Sequence, residues 1–396
     1  MRTDQPLELL GGLTPDEFMR DYWQRKPLLI RGAIPNFTPS LSIHDIRALV
    51  RRDEVESRLI IKDDTGWSMK TGPFKRLPPL KQKGWTALAQ SVDLHDDATA
   101  ALMHRFRFIS DARLDDAMIS IASDGGGVGP HFDSYDVFLL QAHGRRRWRI
   151  SRQQDLSLEP GLPLKILRHF RHEQEFVLEP GDMLYLPPHA AHDGVAIGDC
   201  MTVSIGFRAP TLATLACGML SAAADQVMAN LGDFNGLYAY PLIPGPDLSE
   251  TFKDPGAPAA SHPARLPDTL IEAAVDAAAR IRFDQTLATR FLGQWLTELS
   301  PNAYFEPSSD ELLDLASDLP RNGRLALDRC SRLIYKDKML FINGEAAAVP
   351  ASPALKELAD ERRLDCASAL VQGLGGDERA MLTQWLDDGW LHYTQA

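Results

Sequence analysis

Hydrophobic and polar positions follow two different periods along this chain. From about residue 57 to 210, short β-type runs are separated by Pro and Gly: Arg58–Lys62, Ala117–Ser123, Tyr135–Ala142, Arg146–Ser151, Glu175–Leu178, Met183–Leu186 and Met201–Phe207. Side chains of a strand alternate between its faces, so runs of this kind predict strands. Short strands at close spacing, without regular helices between them, predict an antiparallel barrel or jelly roll. Helix is expected only at the front and in inserts such as Trp85–Val92. At the front, Thr14-Pro15-Asp16-Glu17 combines a capping box with Pro at the first helical position. The helix it starts should run through Phe18 and Tyr22 to about Gln24. Pro27 ends it, Leu28-Leu29-Ile30 reads as a short strand, and Gly32 turns the chain.

The pattern changes near 211. Thr211–Leu231 is rich in Ala and Met at helical spacing, and seven prolines then crowd residues 241–267. Asp268–Leu299 reads as helix again, with Leu270, Ala274, Ala277, Ile281, Phe291, Trp295 and Leu299 on one side. Residues 306–396 are mixed. Ser309–Leu315, Ala354–Leu364, Ala367–Leu374 and Glu378–Asp387 look helical. Leu325–Leu327, Arg332–Tyr335 and Met339–Ile342 look like strands, with Asn343-Gly344 as a hairpin turn. Small helices beside a hairpin suggest a winged-helix-like module. The expectation is an α+β chain in three parts: a β domain at 1–210, a helical region at 211–305 and a winged-helix-like domain at 306–396.

Bulk properties narrow the class. A chain of 396 residues suits two or three domains. With 44% hydrophobic and 24% charged residues it reads as an ordinary globular protein. A net charge of −12 argues against coating nucleic acid or anionic membrane with the whole surface. From 306 onward there are 10 Lys/Arg against 16 Asp/Glu, a balance of −6. That favours a protein-contact module and disfavours direct nucleic-acid binding. Cys200, Cys217, Cys330 and Cys366 form no C-x-x-C pair, as expected in a reducing compartment. The N-terminus has no apolar core of a signal peptide, and no stretch approaches 18 uninterrupted apolar residues. The expected setting is the cytoplasm, with no membrane.

The chemistry centres on His131-Phe132-Asp133. On a strand, i and i+2 point to one face, so this tripeptide would aim an imidazole and a carboxylate at one point. A second His would complete the facial triad of non-haem Fe(II) oxygenases, which leaves positions open for a chelating cosubstrate and O2. The third donor is expected after the strand Met183–Leu186 and the Pro187-Pro188 corner, where His189 and His192 compete. Gly125-Gly-Gly-Val-Gly-Pro130 gives the first ligands a flexible approach. Asp136 rivals Asp133, but i+5 from His131 falls on the opposite strand face. His169 and His172, in a basic and helix-like stretch, read as a solvated face. In Arg145–Ile150, alternation puts Arg146, Trp148 and Ile150 inside. Arg146 is then a cation directed at the core, where it needs either a buried acid or a bound dicarboxylate such as 2-oxoglutarate.

These motifs together resemble one family. Gly125–Asp133 followed by Ser-Tyr-Asp-Val-Phe138, Gly144-Arg-Arg-Arg-Trp-Arg149, Glu179-Pro-Gly-Asp-Met-Leu-Tyr-Leu-Pro-Pro188 with His192-Asp-Gly194, Ser204–Pro210 and the opening Tyr22–Pro27 with Arg31-Gly32 are similar to the bacterial JmjC-type ribosomal oxygenases. The resemblance implies a double-stranded β-helix of the jelly-roll or cupin type, a helical dimerisation region and a winged-helix-like module. It implies Fe(II), 2-oxoglutarate and O2 as cofactor and cosubstrates, and hydroxylation of an arginine β-carbon in the large-subunit ribosomal protein numbered sixteen, with release of succinate and CO2. By motif position it selects His131, Asp133 and His192 as metal ligands and Arg146, with Ser120, as cosubstrate contacts. Asp116, Tyr135 and Ser204 are the expected contacts of the substrate arginine. A homodimer is expected. Rival readings are a JmjC demethylase acting on methyl-lysine and a metal-binding cupin without catalysis.

Overall fold

A computed structural model describes residues 2–306, 314, 315, 317 and 319–395. The chain divides into two compact units, residues 1–209 and 210–396.

The first unit begins with α1 (Pro15–Asp21), which has the expected capping box: Thr14 Oγ1 accepts from the Glu17 amide, and the Glu17 side chain accepts from the Thr14 amide. The helix stops at Asp21 rather than Gln24, which adopts a left-handed φ of 56°. Next come β1 (Leu28–Ile30), α2 (Ile43–Leu49), β2 (Ser57–Asp63), β3 (Gly66–Thr71), β4 (Trp85–Ala89), α3 (Asp97–His104), β5 (Leu114–Ala122), β6 (Val137–Ser151), β7 (Gln174–Leu178), β8 (Met183–Leu186) and β9 (Ala191–Phe207). They form a nine-stranded antiparallel sheet in the order β1-β8-β6-β9-β5-β4-β2-β3, with β7 also on β6.

The two long strands make this a jelly roll rather than a flat sheet. The first half of β6 pairs with β8 and its second half with β7, while β9 follows both halves. Register shifts around His143 bend the β6–β9 ribbon between the two layers. The two strands expected at Tyr135–Ala142 and Arg146–Ser151 are therefore one. The path from β1 to β3 does not close into a barrel. The helix expected at Trp85–Val92 is the strand β4 followed by a 3-10 turn at Val92–Leu94. Every residue of β4 is buried, Thr86 included, and a run buried on both faces carries no period to tell strand from helix. The stretch holding His169 and His172 is loop, not helix, and both histidines are exposed. Behind the sheet, Phe18 of α1 packs 4.9 Å from Tyr185 and 5.4 Å from Phe138.

In the second unit, α4 (Leu212–Asn230) packs on α6 (Gln285–Thr297) through Ala222, Ala223, Leu287 and Phe291. The single helix expected over Asp268–Leu299 is two, α5 (Asp268–Ala279) and α6, because Asp284 caps α6 through the amides of Thr286 and Leu287. Nor does α5 bury an inner stripe: none of its residues is buried. Two three-stranded sheets follow, β14-β10-β15 and β11-β12-β13, built from β10 (Arg324–Leu327), β11 (Leu333–Lys336), β12 (Met339–Ile342), β13 (Glu345–Ala346), β14 (Arg363–Asp365) and β15 (Leu391–Thr394). Asn343 and Gly344, both at positive φ, form the hairpin turn. The helices α7 (Pro353–Glu361), α8 (Ala369–Gln372) and α9 (Gly376–Asp387) complete the unit. The helix expected over Ser309–Leu315 falls almost wholly outside the described residues.

By length and composition α4 could cross a membrane, with a mean hydropathy of 1.3 over 18 residues. Its polar pair is used inside the unit, however. Asp225 accepts from the Tyr238 amide, and Gln226 bonds the Tyr238 carbonyl and the Ile243 amide.

Candidate metal centre

His131 and Asp133 do not share a strand. His131 forms an isolated antiparallel bridge with His192 at the start of β9, and Phe132 and Asp133 continue in irregular backbone. The two amides are exchanged: His131 N donates to His192 O at 2.9 Å, and His192 N to His131 O at 2.8 Å. This reciprocal pair holds the imidazole rings 4.2 Å apart between centroids. Asp133 Oδ2 lies 3.6 Å from His192 Nε2 and 4.0 Å from His131 Nε2. One donor atom from each of the three side chains falls within 4.8 Å of the others, a spacing that suits one shared metal ion.

The tautomers are fixed as well. His131 Nδ1 is 2.8 Å from the Gly129 carbonyl and His192 Nδ1 is 2.9 Å from the Ala190 carbonyl. A carbonyl oxygen only accepts, so each Nδ1 carries the proton and each Nε2 keeps its lone pair for a metal. Burial and the neighbouring His131 push His192 to a lower pKa, which keeps it neutral. His189, its rival in the sequence, is exposed at φ 63°. Its amide binds the Asp133 carbonyl at 2.7 Å, and its ring packs on Phe132. Asp136 is fully buried and does other work: it accepts from Tyr185 Oη at 2.6 Å and Gln24 Nε2 at 3.0 Å.

The three donors open onto a cavity of about 250 Å³ inside the first unit. Arg146 lines it and is 3% exposed. Its Nη1 makes only a long 3.4 Å bond to the Gly194 carbonyl, its Nε and Nη2 have no partner, and Trp148 stacks beside it. Among the described residues no carboxylate lies within ion-pair distance of it. Of the two partners expected for Arg146, the buried acid is thus missing, and a guanidinium does not shed its proton. A bound carboxylate fits this requirement through a bidentate pair.

Residues 101–215 match the JmjC domain family, and residues 280–392 match the ROXA-like winged helix family. The chain is 34% identical over 354 residues to the ribosomal protein uL16 3-hydroxylase of Escherichia coli, covering 87% of this chain and 88% of that protein. It is 33% identical over 406 residues to a probable ribosomal oxygenase of Haemophilus influenzae, covering 96% of each. The chain belongs to the ribosomal oxygenase family. The structure of the E. coli ribosomal oxygenase YcfD matches it with a TM-score of 0.77 at 28% identity, over 96% of this chain and 98% of that one. One YcfD structure is a complex with cobalt and 2-oxoglutarate, matching equally well over the same shares.

In this ribosomal oxygenase the remaining expected residues all line the same cavity: Asp116, Ser120, Tyr135 and Ser204. Asp116 Oδ2 accepts from the Ser91 amide at 3.1 Å and from Ser91 Oγ at 3.3 Å. Burial and the adjacent Asp115 push its carboxyl up to about 6. Burial, then Asp133 and Asp116, push the Tyr135 phenol upward, so the hydroxyl stays protonated. Ser204 on β9 stands opposite Met118 and Leu139, and Ser120 stands opposite Thr202. The sequence reading missed Thr86, Leu88 and Gln90, which also line the cavity. They stand at i, i+2 and i+4, but burial on both faces of β4 leaves no polar–apolar alternation to mark them.

Proposed function

We propose that this chain is a 2-oxoglutarate-dependent oxygenase that hydroxylates the β-carbon of an arginine in ribosomal protein uL16. The observation that carries the reading is one cavity holding both a His131–Asp133–His192 donor set and an uncompensated buried cation, Arg146. A cupin that only bound metal would not need the cation. With iron(II) and 2-oxoglutarate bound, such a centre couples oxidative decarboxylation of the cosubstrate by O2 to insertion of one oxygen atom into a C–H bond.

The chain's own residues then have distinct tasks. His131, Asp133 and His192 hold the metal on one side, with both Nε2 atoms presented by carbonyl-anchored rings. Arg146 pairs with the far carboxylate of the cosubstrate, and Ser120 adds a hydroxyl nearby. Asp116 pairs with the substrate guanidinium, Tyr135 walls its methylene stem, and Ser204 hydrogen-bonds beside it. The jelly-roll wall excludes water from the reacting carbon.

Residues 1–210 form the oxygenase domain in this reading, 211–305 a dimerisation region and 306–396 the winged-helix-like domain. The chain acts as a homodimer in the cytoplasm, where its ribosomal protein substrate is made. The Asp225–Gln226 bonding makes α4 a packing helix rather than a membrane span. The acidic C-terminal module contacts protein rather than nucleic acid.

The test is mass spectrometry of a uL16 peptide incubated with the protein, iron(II), 2-oxoglutarate and O2. The expected product gains the mass of one oxygen atom on arginine, with matching succinate. A His131→Ala variant should give neither, whereas His189→Ala should give both. A peptide that instead loses a methylene from methyl-lysine would favour a demethylase, and undiminished turnover in His131→Ala would overturn the metal site.

A further inference from the structure

We propose that the turn carrying Ser91 and Asp93 is a positioning device for Asp116, holding one carboxylate oxygen so that the other is presented to the substrate guanidinium. The inference rests on the reading that Asp116 pairs with the substrate arginine. Ser91 and Asp93 themselves are positioning residues.

Three observations converge on it. First, Ser91 sits in the left-handed region, φ 48° and ψ 44°, immediately before the 3-10 turn Val92–Leu94. That conformation is unusual for a residue other than Gly. It brings both the amide and the hydroxyl of one residue onto Asp116 Oδ2, at 3.1 and 3.3 Å. Second, Asp93 on the same turn is 3% exposed, and its Oδ1 accepts from the Ala117 amide at 2.8 Å. The pairing of β5 with β9 slips between Leu114 and Ala117, leaving Asp115 and Asp116 opposite Gly206 alone. A bulge of this kind re-aims a side chain, and here the Asp93 carboxyl takes up the amide next to it. Third, Asp116 Oδ1 lies over Gly206, where a Cβ would stand 3.3 Å away, and Gly206 lines the cavity. One oxygen is therefore tied down from behind while the other lies against a bare patch of cavity wall.

The choice of donors matters for charge. An amide and a hydroxyl hold the carboxylate without neutralising it, so its charge remains available to an incoming cation. The titratable groups around Asp116 are Asp93 on the turn, Asp115 beside it, Glu56 ahead of β2 and Tyr135 from the ligand loop. Asp115 is already paired with Arg208 at 3.1 Å, and Glu56 with Arg58 at 2.8 Å. Burial, with Asp116 close by, pushes Asp93 up to about 7.

The experiment uses the full chain with metal and 2-oxoglutarate. Peptide Kd is measured without O2, and peptide KM, cosubstrate KM and the pH profile under turnover. Ser91→Gly removes the hydroxyl and tolerates the left-handed backbone. It should weaken peptide Kd and KM about five-fold, leave the cosubstrate KM in place, and move the acidic limb of the peptide kcat/KM profile to higher pH. The sign follows because the lost donor had lowered the Asp116 pKa. Asp93→Ala should weaken the peptide similarly, and Asp93→Asn, which keeps an acceptor for Ala117, should restore it. If Asp93→Ala fails to fold, Ser91→Gly decides alone. Asp116→Asn separates the two levels. Unchanged peptide binding in Asp116→Asn removes the substrate role of Asp116 and this inference with it. Weak binding in Asp116→Asn, with wild-type Kd and pH profile in Ser91→Gly, overturns this inference alone.

Discussion

Arg146 and the two histidines answer the same problem, a polar group in a buried wall, in opposite ways. His131 and His192 each hand Nδ1 to a backbone carbonyl and leave Nε2 facing the site, and burial lowers the pKa of His192. Arg146 has no neutral form to retreat to, and neither its Nε nor its Nη2 finds a partner. An uncompensated buried charge costs stability until an anion arrives. Replacing Arg146 with Met, of similar length and apolar, should therefore stabilise the protein without cosubstrate by about 1 kcal/mol, a rise of about 2–4 °C in the Tm of a unit of this size. The same variant should lose the stabilisation that millimolar 2-oxoglutarate gives the wild type. Differential scanning fluorimetry with and without the cosubstrate reads both effects. A variant that melts lower and still responds to 2-oxoglutarate would refute the pairing.

Between elements, the site depends on close backbone approaches. Gly129, at φ 79°, supplies the carbonyl that holds His131 Nδ1. A Cβ there would meet Ile166 Cδ1 at 2.5 Å and the Trp67 ring at 2.8 Å. Gly129→Ala should swing that carbonyl away and weaken metal binding about ten-fold or more, the usual loss when a ligand's outer partner is removed. Titrating the protein with cobalt(II) and following its visible absorption would measure this, and an unchanged affinity would show that the carbonyl contributes nothing. The chemistry of this site was legible in the sequence because residue types carry it: a His, a carboxylate and a second His, plus an arginine on the Trp148 face of its strand. The local geometry was not. His131 and Asp133 were expected to converge through strand alternation, whereas an isolated bridge pairs His131 with His192, 61 residues away, and Asp133 follows in irregular backbone. Nothing in residue spacing distinguishes His189 from His192. Backbone pairing does, by placing His192 on β9 and His189 in the exposed turn before it. Similarly, β4 was hidden because full burial erases alternation, and the α5–α6 break because one capping aspartate outweighs a continuous apolar stripe.

At the scale of the whole molecule, the two units differ in how completely they bury their apolar residues. The cavity and all its lining residues belong to the first unit. The second leaves large apolar side chains outside on two helices: Leu212 is 85% and Leu220 59% exposed on α4, and Leu270, Ile271 and Val275 are exposed on α5. Patches of that kind mark interaction surfaces in monomer-sized proteins. A second copy of the same chain is the occupant that needs no further component, and a two-fold pairing would bury the same patch on both partners. Light scattering should then give twice the chain mass of 43.9 kDa. Placing a charge on each exposed apolar face, as in Leu220→Asp on α4 combined with Val275→Asp on α5, should shift the protein to the single-chain mass. The 2-oxoglutarate thermal shift should survive in that variant, because neither position touches the cavity. A wild-type protein that already scatters as one chain would refute the dimer. Partition of that protein into lipid vesicles would instead assign the apolar face of α4 to a membrane.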